Sequence, residues 1–228
     1  MSYPRLLSVV AMGASALLLS GCAGSASPGV AVRVGDETIS SSRISAATEH
    51  LCTALSPQFE SEGQVVPIGA ISQFVVRVLA LGSQAEQIAE EHGITPSAAY
   101  ERDVAERKRA AASMPEEARE DYVEVMSTQA YASDVLDQVG RAKLAEEGFD
   151  EPTLDQVTQA GSDVFAVWPD ANGIEVDPRH GLELSDGQLL PSDTNLSVAI
   201  SDEAKAGLVA QPDAAYTNSL PSSQRCGD

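Results

Sequence analysis

The chain has 228 residues, with 34 acidic against 14 basic side chains and a formal charge of −20. So acidic a surface repels nucleic acid and anionic lipid headgroups, which excludes both as partners. Aromatic residues are only 4% of the chain and alanine is abundant, which favours closely packed helices over a β-sandwich.

Arg5 precedes an apolar run from Leu6 to Leu19, broken only by Ser8, Gly13 and Ser15, and residues 1–21 read as an export signal. The run falls short of the roughly 20 apolar residues needed to cross about 30 Å of hydrocarbon, and no later segment is expected to span. Leu19-Ser20-Gly21-Cys22 resembles the lipobox of bacterial lipoproteins, in which the cysteine thiol takes a diacylglyceryl group and becomes the mature N-terminus. That resemblance implies lipidation at Cys22 and an extracytoplasmic, membrane-anchored protein. The other reading is an ordinary secretory peptide cleaved near Ala23 or Ala26. Two acyl chains give stable anchoring where one is marginal. Residues 22–29, rich in Gly, Ser and Ala, read as a flexible tether. Loss of Arg5 takes the charge to about −21, and the roughly 200 remaining residues suit one domain, or one domain with a tail.

Val30 to Val34 is a β-rich run closed by Gly35-Asp36, a turn pair. Thr38, Ile39 and a serine cluster follow, and Ser40, Ser41 or Ser42 suits the cap of a helix through Ile44, Ala47, Leu51 and Leu55. Pro57 is expected to end that helix, and Pro67 with Gly69 to start the next. From Ile71 the apolar positions Phe74, Val75, Val78, Leu81, Ala85, Ile88 and Ala89 form a helical stripe that stops at Gly93. Thr95-Pro96 is expected to open another helix, with threonine as cap and proline at the first position, running into a basic patch from Arg102 to Arg109.

Met114-Pro115-Glu116-Glu117 starts the longest predicted helix, its acids near the positive end of the helix dipole. Tyr122, Val125, Gln129, Ala132, Leu136 and Val139 make its heptad-like seam, and Gly148 closes it. A shorter helix is expected from Pro152 to about Trp168. Asn172-Gly173 then turns the chain into an alternating strand, Ile174 to Asp177. Leu182, Leu184 and the Leu196-Ser197-Val198 stretch are further strand candidates. Residues 201–228 read as an acidic tail, poorly ordered except where Cys226 is tied down.

Cys52 and Cys226 are the cysteines beyond the anchor, and an oxidising exterior lets them pair as a disulfide. Two free thiols or an intermolecular bridge are the alternatives.

The opening from Val30 to Ser40, the Gly93-Ile94-Thr95-Pro96-Ser97 turn and the Glu175-to-Gly181 segment resemble, in that order, the N-terminal domain of the SurA and PrsA class of extracytoplasmic folding chaperones. The resemblance covers residues 30 to about 184. It implies an α+β, predominantly helical domain over residues 30–200, in which the N-terminal strand pairs with the strand near Val176. Many relatives of that class carry a parvulin-type prolyl isomerase domain of about a hundred residues before the closing strand. Only about thirty separate Gly148 from Pro178 here, so isomerase activity is not carried over.

Catalytic candidates are few. His50, His92 and His180 read as structural or solvent-facing, Glu90-Glu91 and Glu116-Glu117 as a solvated face without calcium-loop spacing, and no phosphate loop or Cys-x-x-Cys pair occurs. No catalytic residue, cofactor or metal site is expected. The expected function is a lipid-anchored, noncatalytic chaperone or holdase for unfolded or exported polypeptides, holding apolar client segments against part of the Ile71-to-Ile88 stripe or against Met114 and Met126. The alternative is an accessory or ligand-binding lipoprotein with one specific partner.

Overall fold

A computed structural model describes residues 28–192, 200–207 and 212–227. Cys22, the leader, most of the tether and the Leu196-to-Val198 stretch lie outside them. The described chain is α+β and mostly helical, with small antiparallel sheets.

Strand β1 (Val30–Val34) is central in a three-stranded sheet, with β2 (Glu37–Ser40) on one side and β4 (Ile174–Val176) on the other. Gly35, at φ 52°, turns β1 into β2, an antiparallel strand where the sequence suggested only the approach to a helix. Val32 faces Val176 across the β1–β4 ladder, so the N-terminal strand does pair with the late one. Ala31, Val32 and Val34 are buried, which suits a small, β-branched central strand.

Ser40 accepts the backbone N–H of Arg43 and caps α1 (Ser41–Glu62). Pro57 does not end α1, as expected of it; the helix passes through it. Proline removes one intrahelical donor, but Phe59 beyond it packs on the core, and the next turn closes on Gly63 at φ 63° with Gln64 N–H bonded to the Phe59 carbonyl. Two strand residues, β3 (Val66–Pro67), lead into α2 (Ile68–His92), which Gly93 ends in the left-handed conformation.

The next helix, α3 (Ala98–Ala110), starts two residues later than Thr95-Pro96 suggested. Ser97 is its cap, accepting from Tyr100 N–H, and the Ser97 N–H is itself held by the Asp134 carboxylate at 2.9 Å. That anchor leaves Pro96 outside the helix. The longest helix, α4 (Glu116–Glu146), packs against α1, α2, α3 and α5 (Leu154–Asn172). Its seam is only partly as expected: Val125, Ala132 and Val139 are buried, but Gln129 is exposed, because α4 is covered on several sides and buries Val123, Ser127, Thr128 and Val135 as well. Thr153 and Gln156 form a capping box for α5, which runs past Trp168 through a buried Pro169. Two glycines set its closeness to α4. A Cβ at Gly140 would meet the Val157 carbonyl oxygen at 2.2 Å, and one at Gly161 the Leu136 carbonyl oxygen at 2.2 Å.

After β4, strands β5 (Leu182–Ser185) and β6 (Gln188–Pro191) form a hairpin across Asp186-Gly187, both at positive φ, as a two-residue turn requires. The described residues of the tail hold more regular structure than the composition suggested. Helices α6 (Asp202–Gly207) and α7 (Ala214–Ser219) form, the latter capped by Asp213, and β7 (Arg225–Cys226) pairs with β3. Cys52 and Cys226 are joined as a disulfide with Cα atoms 5.6 Å apart, fastening β7 to α1.

By length and composition α2 is apolar enough to cross a membrane, which corrects the expectation that no segment after the leader is. Its composition also answers to core burial: Ile71, Val75, Val76, Leu79, Ala80, Ala85 and Ile88 are buried against the surrounding elements.

Candidate functional site

Helix α2 carries a cleft on each of two faces. Arg77, Ala80, Leu81 and Gln84 line one; Leu79, Gly82, Ser83 and Glu86 line the other. Both sets follow the i, i+3, i+4, i+7 spacing of one helix face, and their two-residue offset turns them about 160° apart.

The first cleft is an apolar groove of about 280 Å³. Its second wall is Ile174 of β4 and Leu184, Gly187, Gln188 and Leu189 of the hairpin. Leu184 and Leu189 face each other across the β5–β6 ladder, so both present to the same face. Phe74, 37% exposed, lies one turn before Arg77 on the same stripe and extends the apolar surface along the helix. Gln84 donates to the Phe165 carbonyl at 2.8 Å, and Gly187 sits close over Ala166, so α5 supports both walls.

The second cleft, about 220 Å³, is acidic. Glu37, Glu86 and Glu124 line it with Arg43, Ser83, Thr128, Tyr100 and Tyr131. Ser83 donates to Glu37 at 2.5 Å, and Arg43 pairs with Glu124 at 2.7 Å and with Asp121 at 2.8 Å. The two tyrosine rings lie 5.2 Å apart, tilted by 50°. Burial first, then the charges of Glu37 and Glu124, hold the Glu86 carboxyl above the usual carboxylate range. Burial likewise raises the Tyr100 and Tyr131 hydroxyls, helped by neighbouring carboxylates.

The histidines do not converge. His50 Nδ1 lies 2.6 Å from Asp121 behind the acidic cleft, His92 is exposed in the last turn of α2, and His180 sits in the 3₁₀ turn after β4, its carbonyl held by Gln73. Nineteen residues of α2 separate Gln73 from His92, about 28 Å of helix. Burial lowers the His180 pKa. Beside it, hydrogen bonds from Arg179 hold Asp177 down to about 2. Among the described residues no group of three or more His, Cys, Asp or Glu is placed to hold a metal ion. Glu91 is more than part of a solvated face, since its carboxylate accepts the Trp168 indole N–H at 3.0 Å.

The apolar stripe of α2 divides differently from the expected one. Val75, Ala85, Ile88 and Ala89 are buried as expected, Val78 and Leu81 are half-buried and Phe74 is exposed, while Val76, Leu79, Ala80, Ser83 and Gln84 join the core. Met114 and Met126 are half-buried, and Met126 packs on the core. Leu182 and Leu184 lie in a strand, β5, as expected, but the return strand β6 that makes the groove's hairpin wall was not expected, although Asp186-Gly187 between leucine pairs was its signal. The acidic cleft left no local signal, because its residues come from four separated segments. No protein-family model, curated protein or solved structure matches this chain.

Proposed function

We propose that this chain is a noncatalytic chaperone or holdase, tethered through lipid on Cys22 at the extracytoplasmic face of the cell membrane, which binds unfolded or exported polypeptides in the groove between α2 and the β5–β6 hairpin. The carrying observation is apolar surface left open beside a formed groove: Phe74 is 37% and Leu184 38% exposed, next to half-buried Val78, Leu81 and Leu189. The groove's 280 Å³ is at or below the roughly 300–1,000 Å³ of small-molecule pockets, which suits a few side chains of a longer chain laid across it. Burying them is favourable by about 25 cal/mol per Å² of apolar surface and needs neither nucleotide nor metal. The resemblance of the Val30-to-Ser40 opening and the Glu175-to-Gly181 segment to the SurA and PrsA class supports the same reading.

The test is light scattering of a thermally unfolded client in the presence of the full chain held in phosphatidylcholine nanodiscs, with empty nanodiscs as control. Suppression at near-stoichiometric ratios across unrelated clients supports a holdase; no suppression across several clients rejects it. The acidic cleft favours a second reading, an accessory protein that binds one partner or ligand, which predicts stoichiometric capture of that partner and no effect on unrelated clients.

A further inference from the structure

Six of the basic side chains in the described residues face a carboxylate within 4.0 Å, among them Arg43 with Asp121 and Glu124, Arg107 with Asp103 and Arg179 with Asp177. Arg77 is different. It lines the apolar groove, and among the described residues it makes neither an ion pair nor a side-chain hydrogen bond, in a chain with 34 acidic residues. Its neighbours one turn away on α2 are Gln73, Phe74, Ala80 and Leu81, none of them acidic. A guanidinium carries five donors in a planar fork that matches a carboxylate, and apolar surroundings strengthen such a contact.

Resting on the holdase reading, we infer that the groove selects an extended client segment in which apolar side chains flank a single carboxylate, with Arg77 as the group that receives it. The apolar residues fill the space between Leu81, Leu184 and Leu189, and the carboxylate accepts two N–H bonds from Arg77 at the groove wall. The rest of the surface sharpens the selection. At a formal charge of −20 the chain repels segments with several carboxylates, whereas the Arg77 contact acts at short range and survives screening. Charge complementarity at one point, inside a field of the opposite sign, thus favours apolar segments with one acid over neutral or multiply acidic ones.

The experiment is a fluorescence-anisotropy titration of the full chain in phosphatidylcholine nanodiscs. The probes are two fluorescein-labelled, end-blocked peptides of alternating leucine and serine that differ only in one central glutamate or glutamine. The glutamate peptide is expected to bind about three- to tenfold tighter. Arg77→Gln should abolish the difference by weakening only that peptide, while Arg77→Lys keeps part of it; circular dichroism establishes that both variants are folded. Decanoate is the competitor that identifies a fatty-acid site. Equal affinities for the two peptides, a glutamate preference that persists in Arg77→Gln, or tight decanoate binding with no peptide binding overturns the inference. If the peptides bind equally while client aggregation is suppressed, only the role of Arg77 fails. If neither peptide binds and no client is protected, the holdase reading fails with it.

Discussion

The two clefts on α2 share a helix and a spacing and differ in what they leave unsatisfied. In the acidic cleft Ser83 is bonded to Glu37 and Arg43 to Glu124, so several of the polar groups already have partners. In the groove Phe74 and Leu184 remain exposed and Arg77 is unpaired among the described residues. Apolar surface in water and an unpaired guanidinium both gain from an occupant, whereas partnered charges gain little. Unmet polar groups alone do not separate the clefts, since among the described residues Glu86 and the Tyr100 and Tyr131 hydroxyls also make no hydrogen bond or ion pair; the exposed apolar surface beside Arg77 does.

Four changes break or sharpen this contrast. Removing the disulfide with Cys52→Ser and Cys226→Ser is expected to lower stability by about 2–5 kcal/mol in urea unfolding under oxidising conditions. The bridge ties β7 to α1, and neither cysteine lines a cleft, so client and peptide binding should persist below the transition. Next, Gly140→Val should cost about 1–3 kcal/mol, because its side chain meets the Val157 carbonyl. Pushing α5 away removes support from Gly187 and Gln84, so hydrogen exchange should lose protection at the hairpin before it does at β2 and α3. Leu184→Ser, at a partly exposed position, should change stability by only about 0.5 kcal/mol yet weaken client binding several-fold, read by light scattering and anisotropy.

The smallest effect is at Glu86. Its folded pKa is raised, so the protonated form favours folding, and that contribution is present below the ordinary value of 4.5 and lost as pH rises through the raised one. At neutral pH the charged carboxylate opposes folding. Glu86→Gln should therefore raise the Tm slightly at pH 7 and leave it unchanged below pH 4.5, with no effect on client binding.

Much of the fold was legible. The β1 and β4 strands, the helix starts at Ser40 and Pro115 and the glycine stops at 93 and 148 follow from local chemistry that tertiary contacts reinforce. Where the reading failed, a distant contact decided. Pro57 looked like a stop, but the packing of Phe59 and the cap at Gly63 carry α1 past it. Thr95 looked like a cap, but the Ser97 N–H donates to Asp134, thirty-seven residues beyond it, and that gives the role to Ser97. The α2 stripe identified core and groove together, yet apolar identity could not say which side chains the hairpin leaves open. Arg77 was invisible as a candidate, because a lone arginine becomes notable only once its surroundings are known.

The most direct measurement is photocrosslinking from two positions of the full chain in nanodiscs, with benzoylphenylalanine placed at Leu184 in the groove and at Tyr131 in the acidic cleft. Binding of clients in the groove predicts adducts with an unfolded client from position 184 and none from 131. Adducts from 131 with none from 184 would contradict it.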